Sequence, residues 1–189
     1  AGVIDATCPL VTKVHMEVIK MHKQGYRIIM IGHAGHPEVE GTVGQVDSDI
    51  NVIEKPAQVW DLEVENPEKV AYVSQTTISY DDAKELIQEL KKRFPLVAEP
   101  KKADICYATQ NRQDAVKELA RRVDLVLVVG SKSSSNSNRL REVAEGAGTK
   151  AYLLDDAGEI NPDWFKGIER VGITAGASAP EILVDEIVE

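Results

Sequence analysis

The segment GSKSSSNSNRL at residues 130–140 places hydroxyl and amide side chains between an apolar run and an amphipathic stretch. Ser134, Ser135 and Asn136 fall near the predicted start of a helix, where backbone N–H groups and the helix dipole favour an anion. Helix capping alone would need only one serine or asparagine. The polar run at 131–139 is longer than capping needs, which favours an anion-binding site.

A shorter segment of the same kind, GASAPE at 176–181, follows another apolar run. Ser178 could cap the next helix or donate a hydrogen bond to a phosphate group. Taken by itself, this segment is better explained by capping.

The segment GHAGHPEVEGT at 32–42 puts two histidines and two glutamates after a predicted strand. Histidine and glutamate are zinc ligands, but the spacing of His33 and His36 does not match a helical zinc motif. The alternative is a loop that binds an anion through His36 and delivers a proton from Glu38. His33 and Glu40 are interpreted as solvated loop residues.

The segment SQTTIS at 74–79 follows a third predicted strand and carries an amide and several hydroxyls. Ser79 is predicted to cap the next helix. Thr76 and Thr77 could relay protons or orient a hydroxyl group of a ligand.

The chain has two cysteines, Cys8 and Cys106, and each is predicted to precede a helix. A helix start lowers the pKa of a thiol and favours the thiolate, which is the form that binds metal. A single cysteine is more often a small buried hydrophobic residue. Two in the same setting, one in each predicted domain, favour a metal shared at the domain interface, although a four-ligand site needs two more ligands.

Strand and helix patterns alternate along the chain, which predicts βαβ units with parallel sheets. Strands are predicted at 26–32, 51–54, 69–75, 124–130, 150–155 and 170–176, and helices at 9–24, 38–45, 56–63, 80–94, 110–122, 135–148 and 180–189. A proline- and lysine-containing break at 95–104 predicts a boundary between two domains, 1–100 and 101–189. Ligands of open α/β sheets lie beyond the carboxyl ends of the strands, where all the polar segments above are placed.

The composition is that of an ordinary globular chain, with 43% hydrophobic and 28% charged residues. A net charge of −9 argues against a nucleic-acid partner, and no apolar run reaches the roughly 20 residues of a membrane helix. The first residues lack the features of a signal peptide, so a cytoplasmic location is expected, or a plastid-like compartment in a eukaryote. A start at alanine instead of methionine suggests a fragment, a processed chain or a trimmed one.

Six of these segments together resemble the LytB family of 4-hydroxy-3-methylbut-2-enyl diphosphate reductases, which act in the non-mevalonate isoprenoid pathway. They are DATCPLVTKVH, GHAGHPEVEGTVGQ, SQTTIS, ICYATQNRQ, GSKSSSNSNRL and GITAGASAPE. The resemblance runs from the first residues almost to the last. It implies a fold with three similar α/β domains around a central cleft, of which this chain would hold the middle and C-terminal ones.

The resemblance also implies a 4Fe–4S cluster held by three cysteines, two of which would be Cys8 and Cys106. In the family the cluster accepts electrons from a donor such as ferredoxin or flavodoxin, and its open iron meets the hydroxyl oxygen of an allylic diphosphate. The hydroxyl is removed with two electrons and protons, giving isopentenyl and dimethylallyl diphosphates.

The remaining site residues follow from the same resemblance. Glu38 would feed protons to the leaving hydroxyl, and Thr76 would contact that hydroxyl. The predicted substrate-binding residues, most of them for the diphosphate, are His36, Thr77, Ser134, Ser135, Asn136 and Ser178.

The family's first domain, which carries the third cluster cysteine and two further diphosphate-binding histidines, has no counterpart in these 189 residues. The chain by itself is therefore expected to be inactive. Two other classes of function are kept open. One is a module that binds a phosphate ester without catalysis, and the other is a zinc hydrolase that uses His33, His36, Glu38 and a cysteine.

Overall fold

The computed structural model describes residues 2 and 4–189. The chain divides into two compact units, Ala1–Cys106 and Tyr107–Glu189. Each unit contains a three-stranded sheet in which every strand pair is parallel, and helices flank each sheet. The predicted α/β class with parallel sheets is confirmed.

The first unit has the strand order β2-β1-β3. Its strands are β1 (Arg27–Ile31), β2 (Asn51–Ile53) and β3 (Val70–Ser74), and its helices are α1 (Pro9–Lys23), α2 (Pro37–Val43), α3 (Pro56–Asp61) and α4 (Tyr80–Arg93). Proline occupies the first position of α1, α2 and α3, where its missing N–H costs nothing. As predicted, Ser79 caps α4, and its Oγ accepts a hydrogen bond from the backbone N–H of Asp82 at 3.3 Å.

The second unit repeats this arrangement with the strand order β5-β4-β6. Its strands are β4 (Leu125–Val129), β5 (Lys150–Leu154) and β6 (Val171–Ala175), and its helices are α5 (Tyr107–Ala120), α6 (Ser135–Gly146) and α7 (Glu181–Val188). Two short 3₁₀ helices, Ala157–Glu159 and Pro162–Phe165, connect β5 to β6. Among the described residues, no helix is both long and apolar enough to cross a membrane.

Two apolar layers cover the two faces of the first sheet. Ile29 and Ile31 of β1 lie in one layer, which includes Leu86 of α4. Ile28 of β1 lies in the other layer, which includes Val14 of α1. Successive strand residues point to opposite faces, so a strand covered on both faces reads as the continuous apolar run seen in the sequence.

Shortening a side chain in this core should destabilise the fold. Leu86 is fully buried in the layer between α4 and the sheet. We expect Leu86→Ala to lower the free energy of unfolding by about 2–5 kcal/mol, because the cavity left behind adds to the lost transfer energy. Leu96→Ala is the matched control, since Leu96 is 65% exposed. Urea denaturation measures both variants, and equal losses would contradict the assignment of the core.

Helix α5 begins at Tyr107, three residues before the predicted start. The polar run that follows resembles a loop in the sequence, but Thr109 and Gln113 are buried on one side of the helix. Spacing i, i+4 places them on the same helix face. The earlier start leaves Cys106 immediately before the helix.

Residues of the predicted linker 95–104 pack onto the first unit. The N–H of Ala98 donates to Val70 O at 2.8 Å, and the Tyr72 N–H donates to Ala98 O at 3.2 Å. The chain therefore runs beside β3 before it reaches Cys106. How the two units correspond to the family's domains, with 1–100 and 101–189 as their limits, stays a prediction.

Candidate functional site

In the first unit the polar segments after β1 and β3 share one edge of the sheet. The two strands are parallel neighbours, and Ile31 is in register with Ser74 at their carboxyl ends. Residues that follow these two positions therefore emerge side by side, although about 40 residues separate them in the sequence.

Glu38 and Thr76 join these two segments through a two-point contact. The Glu38 carboxylate accepts a hydrogen bond from the Thr76 backbone N–H at 2.6 Å and another from the Thr76 hydroxyl at 3.0 Å. Thr76 is buried, while Glu38 is half-buried at the start of α2. The structure thus brings together the predicted proton donor and the predicted hydroxyl-contacting threonine.

His36 caps α2 with its ring. Its Nδ1 accepts a hydrogen bond from the Glu38 backbone N–H at 3.1 Å. An acceptor nitrogen carries no proton, so in the neutral ring the proton lies on Nε2. His36 can therefore donate from Nε2 to an anion while its ring is held by its own helix.

A buried glutamine outside the predicted set of site residues connects the two segments at the same edge. Gln75 is fully buried, and its Oε1 accepts from the His33 N–H while its Nε2 donates to Thr77 Oγ1, both at 3.1 Å. Its amide bridges the two segments and orients the Thr77 hydroxyl. The available signal was a long polar residue directly after a buried strand.

Both cysteines belong to the first unit, and both are free thiols. Cys8 is exposed and occupies the N-cap position of α1, with no side-chain capping bond. Cys106 is half-buried and immediately precedes α5, and its N–H donates to Thr76 O at 2.9 Å. Thr76 therefore forms hydrogen bonds with both Cys106 and Glu38.

The two thiols are of the chemical type that binds an iron–sulfur cluster, but two ligands are fewer than such a cluster needs. Both are free cysteines, and cysteine sulfur is the usual ligand of iron–sulfur clusters. Across residues 2 and 4–189, however, no three His, Cys, Asp or Glu side chains group closely enough to hold a metal ion. The same finding gives no support to a zinc site built on His33, His36 and Glu38. His33 instead lies 3.6 Å from the carboxylate of Glu54.

In the second unit, the polar segment after β4 forms the start of α6. Ser134 is the N-cap, and its Oγ accepts from the N–H of Ser137 at 3.3 Å and lies 3.0 Å from the Ser137 hydroxyl. Ser135 is the first helical residue. One serine therefore meets the capping requirement, as the sequence analysis expected.

Asn136 lies in the first turn of α6 and is only 8% exposed. Neither Oδ1 nor Nδ2 of its amide has a hydrogen-bond partner within the part of the chain that the structure describes. A buried polar group without partners costs free energy. Such a group at a helix start suits a site whose ligand supplies the missing bonds.

The segment after β6 approaches Asn136 through a glycine. A Cβ atom built on Gly176 would lie 3.7 Å from Asn136 Nδ2 and would overlap Ser137 Oγ. Ser178 follows on the exposed side of this turn. The interpretation of Ser178 as a helix cap is wrong, because Pro180 occupies the N-cap of α7 and fixes the backbone there.

Adding a methyl group at Gly176 should disturb this site through Ser137. We expect Gly176→Ala to cost about 1–3 kcal/mol of stability by overpacking. Removing the hydroxyl in the double variant Gly176→Ala with Ser137→Ala should recover most of that loss, since the Ser137 Cβ would lie 3.4 Å away. Thermal unfolding of the single and double variants measures the coupling. A double variant no more stable than Gly176→Ala would contradict this packing.

Comparison with known proteins identifies the family of the chain. The family described as "LytB protein" matches residues 1–189. The 4-hydroxy-3-methylbut-2-enyl diphosphate reductase of Methylibium petroleiphilum is 63% identical over 188 residues, which are 100% of this chain and 57% of that protein. The enzyme of the same name from Aromatoleum aromaticum is 63% identical over 187 residues, 99% of this chain and 60% of that protein.

A solved structure has the same fold. The E-1-hydroxy-2-methyl-but-2-enyl-4-diphosphate reductase from Plasmodium falciparum matches with a TM-score of 0.93 and 38% identity, over 98% of this chain and 58% of that one. The chain thus spans slightly more than half the length of these relatives. The family match over its whole length establishes that the chain belongs to the LytB protein family.

Proposed function

We propose that the parent protein, meaning the polypeptide in which these 189 residues occur, reduces 4-hydroxy-3-methylbut-2-enyl diphosphate. The reaction replaces the allylic hydroxyl by hydrogen and gives isopentenyl and dimethylallyl diphosphates. The observation that carries the proposal is the contact of Glu38 with Thr76, next to the backbone of Cys106. This contact joins a carboxylate and a hydroxyl beside the backbone of a cysteine at one sheet edge.

The proposed reaction consumes two electrons and two protons. The C–O bond breaks, one proton leaves with the hydroxyl as water, and the other is added to the allylic carbon skeleton. Glu38 is the proposed source of the proton for water. Its bond with the Thr76 hydroxyl can pass a proton to the substrate oxygen or keep that oxygen in position. The electrons come from a small redox protein such as a ferredoxin or flavodoxin.

Cys8 and Cys106 are proposed to hold two irons of a 4Fe–4S cluster. When bound, the cluster supplies the electron transfer and a Lewis-acidic iron, which no side chain of this unit can provide. The chain's own contribution is to present both free thiols directly before helices.

The substrate's diphosphate is proposed to bind neutral donors. His36 can donate from Nε2–H, and Asn136 can donate from a side-chain amide that has no hydrogen-bond partner among the described residues. The other proposed substrate-binding residues are Thr77, Ser134, Ser135 and Ser178. Neutral donors at helix starts suit an anion because they stabilise its charge. We further propose that the protein acts in the cytoplasm and that the 189-residue chain alone does not turn over.

Anaerobic reconstitution with iron and sulfide tests the ligand assignment. Iron and acid-labile sulfide are counted, and visible absorption is recorded, for the 189-residue chain and the parent protein. The double variant Cys8→Ser with Cys106→Ser is the control. We expect the parent protein to hold the cluster and the double variant to lose it. Equal iron content in the parent protein and in its double variant would contradict the assignment of Cys8 and Cys106 as cluster ligands. Pyrophosphate binding without any iron in the parent protein would favour a phosphate-ester-binding module instead.

A further inference from the structure

A partly buried ion pair connects the segments that carry the two cysteines. Lys13 lies on α1, the helix that Cys8 begins, and Asp104 lies two residues before Cys106. Lys13 Nζ is 2.5 Å from Asp104 Oδ1, with 24% and 1% of the two side chains exposed. The two residues are 91 positions apart in the sequence, so this contact is set by the fold.

The Lys13 ammonium group donates two hydrogen bonds to the segment before Cys106 and forms one ion pair within α1. Besides Asp104, it donates to Lys102 O at 2.6 Å and lies 2.9 Å from Glu17 Oε2. Burial alone would lower the pKa of Lys13, but the hydrogen bonds and charges of Asp104 and Glu17 outweigh burial and raise it. The group therefore stays charged and fixes α1 to the segment before Cys106 at two points.

Asp104 extends the connection to the sheet. Its second oxygen, Oδ2, accepts from the Ser74 backbone N–H at 2.9 Å. Ser74 ends β3, and two residues later Thr76 accepts the hydrogen bond from the Cys106 N–H. One carboxylate thus ties the Cys8 helix, the Cys106 segment and the strand end that carries Thr76.

The desolvation penalty of this ion pair indicates that it serves to fix the positions of the joined segments more than to raise the stability of the fold. A buried ion pair pays a large desolvation penalty and is often no better for stability than apolar residues of similar size. Its directional bonds do fix the register of the segments that it joins. Residues that contact metal ligands, without contacting the metal itself, commonly orient those ligands.

We infer that Lys13 and Asp104 are positioning residues, whose ion pair holds the Cys8 and Cys106 segments so that both thiolates can bind one iron–sulfur cluster. The inference rests on the proposed function, because it takes both cysteines as ligands of the same group. Neither Lys13 nor Asp104 has to touch the substrate or the cluster.

The first test uses cobalt(II) as a spectroscopic probe on the 189-residue chain and on the parent protein. The thiolate-to-cobalt absorption band is titrated for the unmodified protein, Lys13→Met and Asp104→Asn. Asp104→Asn keeps the shape but has one oxygen for two donors. We expect each variant to bind cobalt about 10- to 100-fold more weakly. Lys91→Met is the control, since it removes an exposed ion pair with Glu99, and its affinity should not change.

The second test separates positioning from stability. Cys8 and Cys106 are the chain's two cysteines, so a nitroxide label can be attached to each without mutation. Electron paramagnetic resonance at a temperature where all variants are folded gives the spread of label-to-label distances. We expect a wider spread in Lys13→Met and Asp104→Asn than in the unmodified chain and Lys91→Met.

Unchanged cobalt affinity and an unchanged distance spread in the folded variants would overturn the inference and leave the proposed function intact. A lower melting temperature with an unchanged spread would make the pair a stability element, which also overturns it. An unmodified parent protein without a thiolate-to-cobalt band would contradict the ligand assignment itself, and the inference would fall with it.

Discussion

Replacing Glu38 by glutamine should lower the kcat of the reconstituted parent protein about 10²- to 10⁴-fold, which is the usual contribution of a positioned general acid. The glutamine Oε1 can still accept from the Thr76 N–H. Its amide nitrogen would then face the Thr76 hydroxyl, which can rotate and accept. The contact survives while the transferable proton is lost. We therefore expect KM for the allylic diphosphate to change much less than kcat.

Glu40→Gln is the matched control for this prediction. Glu40 lies on the same short helix but is exposed, in keeping with its interpretation as a solvated residue. Steady-state kinetics of both variants, at equal iron and sulfide content, make the comparison. If kcat fell equally in the two variants, or did not fall in Glu38→Gln, Glu38 would not be the proton donor.

Replacing Asn136 by leucine should weaken diphosphate binding and strengthen the fold. Hydrogen bonds to a charged group contribute about 1.5–3 kcal/mol each, so the affinity of the 189-residue chain for inorganic pyrophosphate should fall about 10- to 100-fold. The same substitution removes a buried amide without partners. The free energy of unfolding without ligand should therefore rise by about 1 kcal/mol, at the lower end of the cost of such a group.

Asn138→Leu is the control, because the Asn138 amide donates to Lys132 O at 2.8 Å and to Ser134 O at 2.9 Å. Loss of these two hydrogen bonds should lower the free energy of unfolding, whereas Asn136→Leu should raise it. Isothermal titration calorimetry with pyrophosphate and thermal unfolding measure the two effects. A destabilised Asn136→Leu variant with unchanged affinity would show that the asparagine serves the fold and not a ligand.

Local patterns were sufficient to predict most of the fold. Continuous apolar runs identify β1, β3 and β4, because a parallel strand that is covered on both faces has no polar face. Prolines and Ser79 mark helix starts because they satisfy the geometry of the first turn. The predicted start of α5 is three residues late because Thr109 is polar yet buried, and apolar periodicity cannot detect such a residue.

The site was predictable as a set of segments but not as a set of contacts. Parallel strands bring their carboxyl ends to one edge, and the polar segments after β1 and β3 are predicted to lie at such ends. That Glu38 binds both the N–H and the hydroxyl of Thr76 depends on side-chain geometry across 38 residues. Packing also determines that the Asn136 amide has no hydrogen-bond partner among the described residues and that Lys13 pairs with Asp104. Neither feature follows from the spacing of residues in a single sequence.

The most direct measurement of the central claim is anaerobic turnover by the reconstituted parent protein with a chemical reductant and 4-hydroxy-3-methylbut-2-enyl diphosphate. Products are separated by chromatography, and Glu38→Gln serves as the inactive reference. The account predicts isopentenyl and dimethylallyl diphosphates, formed with two electrons consumed per product molecule. A parent protein that holds its cluster yet releases neither product, or one for which Glu38→Gln is equally active, would contradict it.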